Sequence, residues 1–581
     1  MVSCRDAIRQ ARVTRVKSKG LQALRDVNLK HSENGAHRVF RTFGQSLPVK
    51  ISKTDVESMK DFPYVRFSSW MKYLIEEDYM EHLVGVSDLA EMKKTLTLFW
   101  KRYQMSNPNH RMFHSDTGAA CHPEVTIPIL HHGDEGRSHK KKQIMILSLV
   151  GILGRGTSRC NRSTDEGSAM DESSPLHLSM LGDSLQNHFL FAALPIKLYN
   201  QTDSLYQVLS LMGDEMDALF NQGVLIGQQR YFVAMLGVKG DSPYLAKSGR
   251  FERTFCRRPT KHVSQSLCIG ICHRCLAGRE GWVVDLPYEE FGAEFPTWSI
   301  TEALEKPYVV PSPLLRVPFL KEDADDGDLS FWQFDLFHNI HLGMGKNFIS
   351  SAVCICIELL DGSLERAFQS LTLDFQQYCR SNHESPYHKK LSPSLFGVDS
   401  GFNQTPEAGW SKGDFTRLVL KWFEDYAKRE VLGKTQDPIC LACVEATQAI
   451  NECLSGLYSE GLFLKAERAE FLARRGLKFL EKYSQLALMC FRVGKRRFPL
   501  IPKGHYCHHQ FLDLLRESRK GQWCLNTLAY SNQMAEDFVG KSSRVSRRVS
   551  PRTTSLRVIQ RLFLLMRDAN SSLYAGGKVE I

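Results

Sequence analysis

Two stretches decide the fold: VTIPILHHGDEG (125–136) and RYFVAMLGVKGDSP (230–243). Each is an apolar run of strand length that closes on a Gly-Asp step. A run apolar at consecutive positions fits a strand covered on both faces. Between them lie KKQIMILSLVGILG (141–154) and NHFLFAALPIKLY (187–199), two more strand-like runs, and SLYQVLSLMGDEMDALFNQGV (204–224), with apolar residues at helical spacing. A polar, Ser/Gly-rich stretch at 155–184 reads as a loop. The order is therefore β, β, β, α, β, with one acid at the end of the first strand and another after the fourth. If those strands lie side by side, Asp134 and Asp241 meet.

Composition sets the frame around this core. The chain has 581 residues, 43% hydrophobic and 24% charged, which is enough for several packed units and excludes wholesale disorder. Its net charge of +11 favours polyanionic partners, nucleic acid first. No apolar run reaches the roughly 18 residues of a membrane span, and the basic start MVSCRDAIRQARVTRVKSKG has no apolar h-region. The 16 cysteines are scattered, so they read as reduced thiols or metal ligands inside a cell.

The carboxylates carry the first candidate chemistry. Phosphoryl transfer to nucleic acid uses two Mg²⁺ ions held by hard oxygen ligands, and acids from separate strands suit that role. A third acid is needed. Glu536 in QMAEDFVGKSSR is the candidate, because a basic segment follows it; Glu135 and Asp537 are adjacent alternatives. From Phe538 to Arg567 there is no acidic residue, and the cations include Arg544, Arg547, Arg548, Arg552, Arg557 and Arg561. These, with Lys140, Lys141 and Lys142, are the candidate phosphate contacts.

A Cys/His cluster, TFCRRPTKHVSQSLCIGICHRCLAG (254–278), is the second candidate. Cys272 and Cys275 form a CxxC knuckle with the bite of a tetrahedral Zn²⁺ site, and Cys268 and His262 are candidates for the remaining ligands. Cys440 and Cys443 in DPICLACVEA read as core thiols. FDLFHNIHLGMGKNF (334–348) places His338 and His341 on a helix face with Asp335, as a metal or phosphate contact or as a packing and capping motif. IPKGHYCHHQF (501–511) adds His505, His508 and His509. P-loop, HExxH, G-x-S-x-G and convincing GxGxxG patterns are absent, which argues against a P-loop ATPase and a zincin protease.

Taken in order, HGDEG (132–136), GDSPYLAKSG (240–249), ICHRC (271–275), FDLFHNIHLGMGK (334–346), PKGHYCHH (502–509) and AEDFVGKSSR (535–544) resemble the DDE transposases of the Kyakuja–Dileera–Zisupton and Plavaka type. The resemblance implies an α+β protein whose RNase H-like, retroviral-integrase-like core is split by a long, mostly helical insertion with a zinc knuckle. It implies Asp134, Asp241 and Glu536 as metal-binding acids, Cys272 and Cys275 as half the zinc site, Asp335 and His338 as a D-x-x-H position in the insertion, and His505 as the histidine of a PKxH segment. The departures are a 107-residue separation of the first two acids and no clear second zinc pair beside the first. No separate DNA-recognition module is legible.

The expected division is a helical accessory region (1–120), the first part of the core (121–250), a zinc-containing, mainly helical insertion (251–500), the last part of the core with the third acid (501–545) and a basic tail (546–581). The expected activity is metal-dependent DNA cleavage and strand transfer. DNA would be the partner, Mg²⁺ and Zn²⁺ the cofactors and the nucleus the location, with homo-oligomerisation compatible and no membrane. Two alternatives share these motifs: a catalytically inactive DNA-binding protein and a zinc-stabilised protein-binding scaffold.

Overall fold

The apolar runs form five strands of one mixed sheet: β1 (Thr126–Arg137), β2 (Gln143–Gly151), β3 (Phe189–Pro195), β4 (Val224–Ile226) and β5 (Gln229–Gly240). In the computed structural model, which describes residues 3–15, 18–159, 174–257, 268–317, 329–358, 363–399 and 404–575, the order is β3-β2-β1-β5-β4. β1–β2 and β2–β3 are antiparallel, β1 and β5 are parallel, and β4–β5 is a hairpin. Every residue of β1 from Thr126 to Asp134 is buried, because the strand is central and covered on both faces. The chain returns beside β5 far downstream, through a parallel bridge from Val238 to Trp332.

Helix α1 (Ser204–Asn221) links the third strand to the hairpin and buries Leu205, Val208, Leu209, Met212, Met216 and Leu219, the spacing of one helical face. Helix α2 (Ser242–Gly249) leaves β5 directly; Asp241 is its N-cap and accepts the Tyr244 N–H at 2.8 Å. Within the expected loop at 155–184, Leu153 and Gly156 bridge to Leu178 and Ser179, while residues 160–173 lie outside the described residues.

The downstream half is mainly helical. Helix α3 (Phe337–Ile357) opens with a turn widened to i→i+5 bonding over Phe337–Met344. It is the one described helix long and apolar enough to cross a membrane, and 83% of its apolar window is buried inside the protein, as in a core helix. Helices α4 (Pro438–Ser459), α5 (Ala466–Arg492) and α6 (Pro502–Ser518) pack in succession. Cys440 and Cys443 are buried in α4. Helix α7 (Gln533–Ser546) then returns to β1.

Three expected boundaries differ from the structure. The stretch 546–581 is not a tail through its described part: α8 (Thr554–Ala575) packs on β3, where Phe563 meets Trp70 edge-on at 5.4 Å. Residues within the accessory region also belong to the core, since Trp70 Nε1 donates to Leu190 O at 2.9 Å and Val65 N to Phe191 O at 2.8 Å. Finally, α6 packs with the insertion helices, so the line drawn at 500/501 cuts through one unit. In each case an amphipathic helix is held by its apolar face, which the charged residues on its other face disguise in sequence.

Candidate active site and metal centre

Strand alternation separates the two faces of HGDEG. His131, Gly133 and Glu135 face one way, His132, Asp134 and Gly136 the other. On the first face the Tyr244 ring lies over the paired glycines Gly133 and Gly240, where a Cβ would stand 2.1 Å and 2.5 Å from ring atoms. The Tyr244 hydroxyl donates to His131 Nε2, whose Nδ1–H is given to Ser148 O at 3.0 Å. Glu135 is taken by Tyr199 at 2.6 Å and by Lys247. It therefore stands apart from Asp134.

On the second face α7 crosses β1 at Gly136. A Cβ there would stand 1.8 Å from Ser543 Oγ and 3.2 Å from Ser543 Cβ and Val539 Cγ1, so any side chain at 136 would make Ser543 turn aside and press on the helix. The close approach sets Glu536 against Asp134. Register pairs Gly133 with Gly240, which puts Asp134 and Asp241 one residue on, where the parallel pairing of β1 and β5 ends; β1 itself runs on to Arg137 beside β2, so Asp134 is not at the end of its strand. Asp537 points away, accepting from Ser184 at 2.6 Å and Lys541 at 2.8 Å, so Glu536 is the acid of the group. Burial, together with Glu536 and Asp241, pushes the Asp134 carboxyl well above its ordinary range. Burial also raises Asp241 and Glu536.

Among the described residues, His338 is the cation that pairs with these acids. His338 gives Nδ1–H to Asp335 and reaches Glu536 Oε1 with Nε2 at 3.3 Å. Burial opposes its charge, but Asp335, Glu536 and Asp241 outweigh it and lift the imidazole to about 9. Asp335 also accepts the N–H groups of Phe337 (2.9 Å), His338 (3.2 Å) and Asn532 (3.0 Å). Its carboxylate thus starts α3, orients His338 and fixes the entry to α7. His341 does not share this site; it is buried and meets Tyr458 Oη at 3.1 Å. The acids lie close enough to raise one another's protonation, but they are not among the groups of described residues whose ligand atoms all lie within 4.8 Å of one another.

The second centre joins distant segments. Cys272, Cys275, His505 and His509 are buried, and their ligand atoms all lie within 4.8 Å of one another. The S···N distances are 3.3 Å (Cys275–His505), 3.4 Å (Cys275–His509) and 3.6 Å (Cys272–His509). A tetrahedral zinc with Zn–S of about 2.3 Å and Zn–N of about 2.05 Å has S···N edges of about 3.6 Å, so the set fits that ion. The Nδ1 atoms of both histidines are turned away from the sulfurs, and His509 Nδ1 faces Glu302 at 3.5 Å, the outer carboxylate common behind a metal-bound histidine. Burial alone would raise both thiols; Cys275 and the two imidazoles instead hold Cys272 well below its ordinary value, while Cys275 is raised.

The expected ligand Cys268 is not in this set; its backbone N–H is held by Glu280 at 2.7 Å. His262 lies outside the described residues. His505 moves from the insertion motif to the metal centre, and His509 is the ligand that the reading of the sequence passed over. The signal was its i, i+4 spacing from His505, which puts both imidazoles on one face of α6. His508 is turned aside to Ala293 O at 2.6 Å. A second close group, Cys4, Glu33 and His37, is less apt for a cation, because Arg561 holds Glu33 at 2.8 Å.

No protein-family model matches this chain, and no curated protein does.

The expected phosphate contacts divide. Lys140, Lys141 and Lys142 are exposed on the β1–β2 turn, which begins three residues, roughly 10 Å of strand, beyond Asp134. Arg544, Arg547, Arg548 and Arg552 are exposed along the end of α7 and the turn after it. Arg557 and Arg561 are buried instead, bound to Asn34 and Glu33, and are structural.

Proposed function

We propose that this chain is a DDE-transposase-like phosphoryl transferase acting on DNA, built on an RNase H-like core split by a helical insertion. The observation that carries the reading is the placing of Asp134 and Asp241 one residue beyond the paired Gly133 and Gly240, with Glu536 of α7 against Asp134, in a sheet whose order is β3-β2-β1-β5 with β1 and β5 parallel. That order, and the acids just beyond the parallel pairing of β1 and β5, suit the fold; the edge position beyond β5 is filled by β4 and by the bridge at Trp332.

Asp134, Asp241 and Glu536 would hold two Mg²⁺ ions. Bound there, these would polarise a phosphoryl oxygen and activate water or a 3′-OH for in-line attack. The chain's own residues do the rest. His338 holds Glu536 in place and offsets the repulsion among the acids. Tyr244 and the two glycines fix the strand ends. The Lys140–Lys142 turn and the arginines after α7 neutralise DNA phosphates on either side. Zn²⁺ at Cys272, Cys275, His505 and His509 would clamp the insertion. A nuclear location and a homo-oligomeric assembly follow from the same reading.

The test is nicking of supercoiled plasmid. Mg²⁺-dependent nicking is expected of the native chain, and its loss in Asp134→Asn and Asp241→Asn with DNA binding in EDTA intact. Binding without metal-dependent nicking by the native chain would replace this reading with the inactive DNA-binding alternative. Absence of salt-sensitive binding would leave the scaffold.

A further inference from the structure

Besides the basic stretch that follows Glu536, the beginning of the chain carries a second concentration of positive charge. Residues 1–44 carry ten Lys/Arg and three Asp/Glu, a net +7 of the whole chain's +11, so the other 537 residues hold only +4. The described part of this segment folds as three helices, Cys4–Val13, Lys19–Arg25 and Ser32–Thr42. They have a separate small core of Cys4, Ile8, Ala11, Leu24, Val27 and Ala36.

Two arginines staple the unit. Arg12 donates to the carbonyls of Arg25 (3.1 Å) and Val27 (3.0 Å), and Arg25 donates back to Ala11 O at 2.7 Å. Arg557 and Arg561 of α8 bind Asn34 and Glu33. Because α8 packs on β3, the unit is tied to the catalytic sheet, and Glu33, one of its three acids, is consumed in the tie.

Arg5, Arg15, Lys19, Lys30, Arg38 and Arg41 remain. All six side chains are exposed, and none makes an ion pair or hydrogen bond among the described residues. We infer that this three-helix unit is a second nucleic-acid-binding surface, which grips the phosphate backbone of duplex DNA and holds it to the sheet through α8. The apolar faces of the helices are mostly spent on their own core, Val13 and Phe43 being exposed, so little apolar surface is left among the described residues for insertion into a lipid interface, and nucleic acid is the favoured polyanion. Arg547, Arg548 and Arg552 lie within ten residues of the anchoring Arg557, so they extend the surface toward α7.

The inference rests on DNA as the partner proposed above but not on cleavage, and its test is run without metal. The full chain in EDTA is titrated onto a fluorescein-labelled duplex of arbitrary sequence, and anisotropy is read across a series of salt concentrations. Removing one side chain that neutralises a phosphate lowers the slope of log K against log salt by about 0.9. The combined Arg5→Gln, Arg15→Gln, Arg38→Gln, Arg41→Gln variant should lose about 3 to 4 in slope and bind at least tenfold more weakly at low salt, equally for unrelated sequences. Arginine-to-lysine changes at the same four positions should keep the slope. Single Arg38→Gln and Arg41→Gln variants, each expected to lose about 1, serve if the combined variant unfolds. An unchanged slope overturns the inference. So does a glutamine variant that keeps duplex binding and loses binding to phosphatidylserine vesicles. Nicking can fail in the native chain while this slope difference stands, which separates the two readings.

Discussion

His338→Gln removes the cation that pairs with Glu536. Glutamine retains a donor for Asp335 and removes the charge facing Glu536. At 3.3 Å and an effective dielectric near 20, the gross attraction is about 5 kcal/mol, which screening reduces because the Glu536 side chain is 36% exposed. Linkage gives a second route. The imidazole rises from 6.5 to about 9, and each unit is 1.36 kcal/mol, so the charged histidine contributes about 3 kcal/mol. Because the folded value is the higher one, that contribution is complete below pH 6.5 and is lost as pH rises through about 9. Other buried groups titrate nearby. Lys239, lowered by burial to about 8, changes stability in the opposite direction as pH rises above 8, whereas Glu517, raised by burial to about 8, changes it in the same direction below 8. The readout is therefore the difference between the native chain and the variant in urea unfolding at pH 6, 7, 8 and 9. It should be about 3 kcal/mol at pH 6 and shrink toward zero above pH 9. A difference that stays constant across this range would refute a charged His338.

Cys272→Ser or His509→Ala should reduce bound zinc from one per chain, read by native mass spectrometry, whereas Cys268→Ser should leave it at one. Gly136→Val puts a branched side chain where the Cβ alone stands 1.8 Å from Ser543 Oγ and 3.2 Å from Val539 Cγ1. It should cost about 1–3 kcal/mol by overpacking, measured by urea unfolding. Nicking should fall at the same time, because α7 lifts Glu536 off Asp134.

Legibility followed the range of the interactions. Strands β1, β2, β3 and β5 were readable because each is a local apolar run, and Asp134 and Asp241 because each closes one, although β1 runs on to Arg137 through polar residues that hid its extent. Glu536 was separable from Asp537 only in three dimensions, through Ser184 and Lys541, which are distant from it or on its own helix and carry no mark of the choice. The Cys/His centre illustrates the same limit. CxxC is a local signature, but its partners lie 230 residues or more downstream, and Cys268 and His262 were chosen for nearness in sequence rather than in space. The basic helices at the beginning and end of the chain hid their packing: Arg557 and Arg561 look like phosphate contacts in sequence and are ion-pair and hydrogen-bond partners of the first 44 residues in the fold.

The two centres are mechanically continuous, and this yields a last prediction. Gln510 follows the ligand His509 on α6; its Nε2 donates to Phe334 O at 2.8 Å and its Oε1 accepts from Asn339 at 3.2 Å. Phe334 stacks on Tyr506 of the same helix at 4.7 Å. Asp335 comes next, and its carboxylate binds both His338 and the Asn532 N–H at the start of α7. A path of hydrogen bonds and stacked rings therefore runs from the Cys/His centre to Glu536, with each hydrogen bond worth about 0.5–1.5 kcal/mol. Loss of zinc should free α6, loosen Asp335 and let His338 fall back toward an ordinary imidazole. In Cys275→Ser the stability difference caused by His338→Gln should shrink well below about 3 kcal/mol at pH 6, although no zinc ligand touches an acid of the active site. Full retention of that difference in zinc-free protein of native helix content would show that the insertion only packs beside the acids and does not position them.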